Sequence, residues 1–212
     1  MDLYTLLNGI MIGCEMLPLL IALSFLAQKK EVPFRWILLT ATAFIGGTYE
    51  LTADLFPEGF DDYWYYIFTV FETAGIIYFF SPYTSKWTSI ALIGVTLLFT
   101  LLLFSNISKE MNMYRFGWVC LMQLALTLFC IFQWGKDRFQ NLLYPSLFDD
   151  PDFFAIIGLV IYLSVCSFYY LLYPYMIQFP NDNLLFYWII LPVSIAMYGA
   201  LLAWGVMKQN KA

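Results

Sequence analysis

Glu72 stands in the middle of residues 63–80, YWYYIFTVFETAGIIYFF, an aromatic-rich run with no other charge. The run is long enough to cross a bilayer and would hold Glu72 about 10 residues, or about 15 Å, from either end. A carboxylate at that depth costs about 2.5–3.5 kcal/mol on insertion scales, so it needs a partner, a proton or a task. Other acids share the predicament. Glu15 lies well inside the first apolar run, and Glu50 and Asp54, four residues apart on one helical face, lie in the second beside Tyr49 and Thr52. Thr69 and Thr73 flank Glu72, and Gln123 falls near mid-depth of the fifth run.

No Lys, Arg or His occupies the middle of any apolar run, so these acids have no cationic side chain at their own depth. A carboxyl group so placed is either protonated or holds an external cation. Three kinds of chemistry suit that state. Neutral acids can hydrogen-bond between helices and hold a bundle in register. A shared cavity can bind a cationic or polar ligand, for which Glu15, Glu50, Asp54, Glu72, Gln123, Tyr49 and Thr69 are the candidates. The same carboxylates can also mark a path for protons or cations.

The elements that must position these groups are membrane helices. Of the 212 residues 62% are hydrophobic, 21% aromatic and 12% charged. Soluble domains carry about 25% charged residues, so half that share points to a chain immersed in lipid. Charge and turn residues divide the sequence into seven apolar runs: 3–26, 35–55, 63–80, 87–104, 114–134, 152–176 and 184–207. Each approaches the ~20 residues that a span needs. The expected fold is an all-α, polytopic bundle of seven transmembrane helices forming one domain. If the N-terminus is outside, the inner side holds Lys29, Lys30, Arg35, Lys86, Lys136, Arg138, Lys208 and Lys211, and the outer side only Lys109 and Arg115. Basic loops resist translocation, which predicts the N-terminus outside and the C-terminus cytoplasmic. Glu15 and Glu72 then fall near the midplane, Glu50 in the outer half and Asp54 close to the outer surface. The 135–150 connection reads as a cytoplasmic loop, with Phe139, Leu142, Leu143 and Leu147 on one face for the membrane surface and Pro145 as a break.

Absences narrow the chemistry. A chain without His offers no bis-His haem, no His-ligated zinc or copper, and no Ser–His or Cys–His catalysis. There is no phosphate-binding P-loop, Gly-rich dinucleotide turn or potassium-filter motif, and no basic cluster that would follow a nucleic acid. Neither a cofactor nor a metal is expected, and an enzyme would have carboxylates alone to work with. Cys14, Cys120, Cys130 and Cys166 lie inside apolar runs and read as small apolar groups. Gly9 and Gly13 form a G-x-x-x-G expected to serve helix packing within the bundle, and Pro18 and Pro192 should kink their helices.

Three stretches carry a family resemblance. Tyr66-Ile-Phe-Thr-Val-Phe-Glu72, continuing to Ile77-Tyr78, resembles the third helix of small seven-helix inner-membrane proteins of Bacteroidota. Pro151-Asp-Phe-Phe154, followed by Gly158 and Ile161-Tyr162, resembles the start of their sixth helix, with Phe154 where Trp is usual. Phe186-Tyr-Trp188 through Ala203-Trp204 is similar to their seventh. The family is largely uncharacterised, and its seven-helix region resembles the membrane sensing parts of some histidine kinases. The resemblance implies a multi-pass protein of a bacterial inner membrane and matches Glu72 to a family Glu. It places no role on Glu15, Glu50 or Asp54.

The expected function is a receptor-like sensory or accessory module. It binds a small ligand, lipid headgroup or proton in an outer-half polar cavity and acts through a separate membrane or cytoplasmic partner protein. The alternatives are a cation or proton channel or transporter using the buried carboxylates, and a carboxylate-based intramembrane lipid hydrolase.

Overall fold

The computed structural model describes residues 3–52, 55, 60–104, 112–141, 146–178 and 184–209. These form seven α-helices and one short 3-10 turn, with no strand among the described residues. The helices are α1 (Leu3–Ala27), α2 (Phe34–Thr52), α3 (Phe60–Phe79), α4 (Lys86–Phe104), α5 (Asn112–Asn141), α6 (Pro151–Gln178) and α7 (Leu184–Gln209). Four stretches are long and apolar enough to cross a membrane: Thr5–Ala27, Phe116–Gln140, Pro151–Tyr173 and Ile189–Gln209. Their outer faces present Leu20, Phe132, Phe168 and Trp204. Large apolar side chains exposed on this scale suit contact with lipid rather than water.

Local chemistry sets the helix ends. Lys29 takes a left-handed conformation (φ 59°), and the Lys30 N–H bonds back to the Phe25 carbonyl at 2.9 Å. That pair of features closes α1 in a Schellman turn, and Pro33, whose carbonyl accepts the Trp36 N–H at 2.9 Å, immediately precedes α2. The start of α6 follows from its sequence too. Asp150 is the cap, its carboxylate accepting the Asp152 N–H at 3.0 Å, and Pro151 occupies the first helical position, where its missing N–H costs nothing.

The bundle is a ring. Helix α1 packs on α2 and α7, α2 on α3, α3 on α5, α5 on α6, and α6 on α7, while α4 leans on α3 and α5. The half of the ring nearest the α1–α2 turn is solid. Trp36, Leu39, Phe79, Phe80, Leu159 and Leu202 are all fully enclosed there. The other half, toward the start of α1, holds the acids.

Two expectations change. Helix α5 runs through Asn141, so the connection expected from residue 135 begins well beyond it. The extension is held because Arg138, within it, pairs with Asp150 ahead of α6. Phe139 and Leu147 on this side are exposed, whereas Leu142, Leu143 and Pro145 lie outside the described residues. Among the described residues Gly9 and Gly13 make no close helix contact within the bundle: both face outward, and a Cβ at either would meet nothing described within 4 Å. The close approach of α1 and α7 uses Gly199 instead, where a Cβ would run into the carbonyl of Cys14.

Candidate functional site

Six helices of the ring, all except α4, converge on one cavity of about 70 Å³. Glu15, Tyr49, Glu50, Thr69, Glu72 and Gln123 all line it. Asp54 lies outside the described residues. The antiparallel ring explains this convergence, because the first halves of α1, α3, α5 and α7 and the second halves of α2 and α6 share one end.

Glu72, 4% exposed, forms the floor. Gln123 of α5 donates its amide N–H to Glu72 Oε2 at 2.8 Å, and the Tyr162 hydroxyl is a second hydrogen-bonding neighbour. Glu15 enters from α1 and is also buried, yet its Oε2 has no hydrogen-bond partner. Helix α2 comes close to it through two glycines. A Cβ at Gly46 would lie 3.3 Å from Glu15 Oε1, and one at Gly47 3.3 Å from Oε2. Glu50 is exposed and stands at the mouth, and Tyr49 stacks on Trp64 with ring centroids 4.5 Å apart. Thr69 is a lining residue rather than a donor to the cavity, since its hydroxyl bonds to the Tyr65 carbonyl at 2.7 Å.

A second chamber of about 220 Å³ adjoins the first. Both are lined by Met11, Glu50, Tyr65, Tyr170, Leu191 and Ile195, so they form one space with a deep and a shallow part. A site for one water takes about 10–15 Å³, so the deep part has room for a few waters or one small charged group. Among the described residues its lining includes no Lys or Arg. Among the described residues no group of three or more His, Cys, Asp or Glu could hold a metal ion. Cys120 and Cys166, predicted to be inert packing, also belong to the wall.

At the opposite end lies an ionic cluster that sequence reasoning missed. Asp152, 1% exposed, accepts hydrogen bonds from Arg35 Nη2 and Trp36 Nε1, both at 3.2 Å, and from the Tyr83 hydroxyl at 2.5 Å. Arg138 donates to the Tyr83 oxygen at 2.8 Å and pairs with Asp150 at 2.6 Å. The signal was present in Asp150-Pro151-Asp152, a helix-start pattern, but Arg35 and Arg138 counted only as free loop charges. Burial, and then the charge of Asp152, push the Tyr83 phenol above the ordinary tyrosine range. A raised folded-state value means that the hydroxyl's contribution is whole below the free-tyrosine value of about 10 and is lost as pH climbs through the folded one. Tyr83→Phe is therefore expected to lose about 1.5–3 kcal/mol, the worth of hydrogen bonds to charged groups. Unfolding midpoints of the two proteins should differ by a constant amount from pH 7 to about 10 and converge above that.

Compared with known proteins, the chain matches no family model, no curated protein and no solved structure.

Proposed function

We propose that this chain is a seven-span protein of a bacterial inner membrane, N-terminus outside, that binds a small polar or cationic ligand in the Glu15–Glu72 cavity. In this reading it is a sensory or accessory module that acts through a separate partner protein. One observation carries the binding step: a buried Glu15 carboxylate with an unpartnered oxygen borders a cavity that it shares with Glu72 and Glu50. Buried polar atoms are nearly always satisfied, so an open acceptor beside a cavity whose described lining holds no Lys or Arg supports a donor from outside the chain. The solid half below, with Trp36, Phe79, Phe80 and Leu159 fully enclosed, favours a blind binding site over a conducting path. The orientation rests on the basic residues: Arg35, Lys86, Arg138 and Lys208 lie at the end away from the cavity, which would be the cytoplasmic one.

The test is native mass spectrometry of protein extracted gently from its own membrane. A small molecule or lipid should accompany the wild type and be lost from Glu15→Gln and Glu72→Gln, with at least tenfold lower occupancy. Glu72→Gln should remain folded because an amide still pairs with Gln123. A wild type that emerges without a small molecule or lipid, or variants that retain one equally, would remove the basis for the reading. A polypeptide at fixed stoichiometry in the same spectra would identify the partner, and its absence in cell crosslinking would end that half of the proposal.

A further inference from the structure

The chemical class of the ligand can be read from the shallow chamber. Tyr65, Tyr169, Tyr170 and Tyr173 contribute to its wall, and Glu50 stands between it and the deep chamber. The tyrosines form a connected set: Tyr169 and Tyr170 meet edge to face with centroids 5.1 Å apart, Tyr65 and Tyr170 are 6.3 Å apart, and Tyr169 and Tyr173 are 6.2 Å apart. Aromatic rings beside a carboxylate attract alkylated ammonium groups, because the ring quadrupole and the anion act together, and the described lining residues include no Lys or Arg. A bare metal ion would instead ask for several oxygens at short range, and the described residues offer no group of three or more His, Cys, Asp or Glu that could hold one. We infer that the cavity takes an organic ammonium group, seated among Tyr65, Tyr169, Tyr170 and Tyr173 and neutralised by Glu50, with any N–H donor or polar tail directed to the open oxygen of Glu15. This rests on the cavity being a binding site. The group could belong to a free amine or to an amine-bearing lipid headgroup, since both present the same chemistry to the rings.

The experiment uses the purified full-length chain in lipid nanodiscs and radiolabelled tetramethylammonium at constant ionic strength. Saturable binding of one cation per chain is expected, undisturbed by exchanging sodium for potassium and blocked by excess unlabelled tetramethylammonium. Tyr173→Leu and Glu50→Gln, at partly exposed and exposed positions, should each weaken binding about tenfold while leaving the melting temperature unchanged. Nanodiscs of phosphatidylethanolamine should compete with the probe, relative to phosphatidylglycerol, if a headgroup is the source; equal binding in both assigns the site to a free amine. Binding that sodium displaces as readily, or that ignores Tyr173→Leu, would mean an ordinary counterion and overturn the inference. No probe binding, in a protein that still carries a Glu15-dependent molecule from its native membrane, would overturn the ammonium class alone. No probe binding and no carried molecule would remove the cavity reading with it.

Discussion

Asp152→Asn is expected to destabilise this protein more than any change in the cavity, by about 3–5 kcal/mol. The side chain is 1% exposed and joins Arg35 and Trp36 of α2, Tyr83 from the α3–α4 connection, and Arg138 of α5 to the first turn of α6. Taking away that charge leaves Arg35 facing a neutral amide, while Arg138 keeps only Asp150 as its carboxylate partner. The Arg35 side chain is only 18% exposed and that of Arg138 11%, so water cannot compensate them freely. The loss should appear in reversible unfolding in mixed micelles. Arg35→Gln in the Asp152→Asn background should cost far less than Arg35→Gln alone, because groups of one network do not add. A loss below about 1 kcal/mol, or simple additivity, would show that the cluster is solvated and contributes as little as an exposed ion pair.

The second large effect concerns the approach of α1 and α7. At Gly199 a Cβ would lie 2.5 Å from the Cys14 carbonyl carbon and 3.0 Å from the Glu15 N–H nitrogen. Both are backbone atoms of a packed helix, so the added methyl cannot be absorbed by a rotamer change and the helices must separate. Overpacking of this kind costs about 1–3 kcal/mol, and Gly199→Val should cost more than Gly199→Ala. The same displacement moves Glu15, so under the proposed binding role ligand retention should fall together with stability. Gly9→Ala and Gly13→Ala supply the contrast within the same helix. Their sites are open, and Ala favours helix over Gly by about 1 kcal/mol, so both should be neutral or mildly stabilising. If Gly199→Ala proves as stable as the wild type while Gly13→Ala does not, the α1–α7 contact runs through the other face.

Both predictions turn on features that the linear sequence carries in different degrees. Helices could be placed from apolar length alone, because a backbone in lipid must satisfy its own hydrogen bonds and long uncharged runs have little choice but helix. Seven runs were therefore legible, and the observed helices differ from them chiefly at the ends. Charged residues deep in such runs were legible as well, since the cost of Glu15 and Glu72 follows from their depth alone. Helix partners were not. Apolar faces look alike to lipid and to protein, so G-x-x-x-G drew attention to Gly9 and Gly13 although the space around them is open. Gly199 had no comparable local mark.

The long-range pairings were equally hidden. Nothing local to Arg138 announces Asp150 across the break between α5 and α6, and nothing local to Gln123 announces Glu72, 51 residues away. The sequence by itself determined that this is a helical, lipid-suited chain with acids that lack cations at their own depth, because composition, run length and burial cost are local properties. Only the tertiary structure decided that Glu15, Glu50 and Glu72 share one cavity, that the tyrosines of α6 wall it, and that Asp150 and Asp152 hold the far end closed. Those facts depend on which helices become neighbours and how each is rotated, and those choices are set by contacts between residues far apart in the chain.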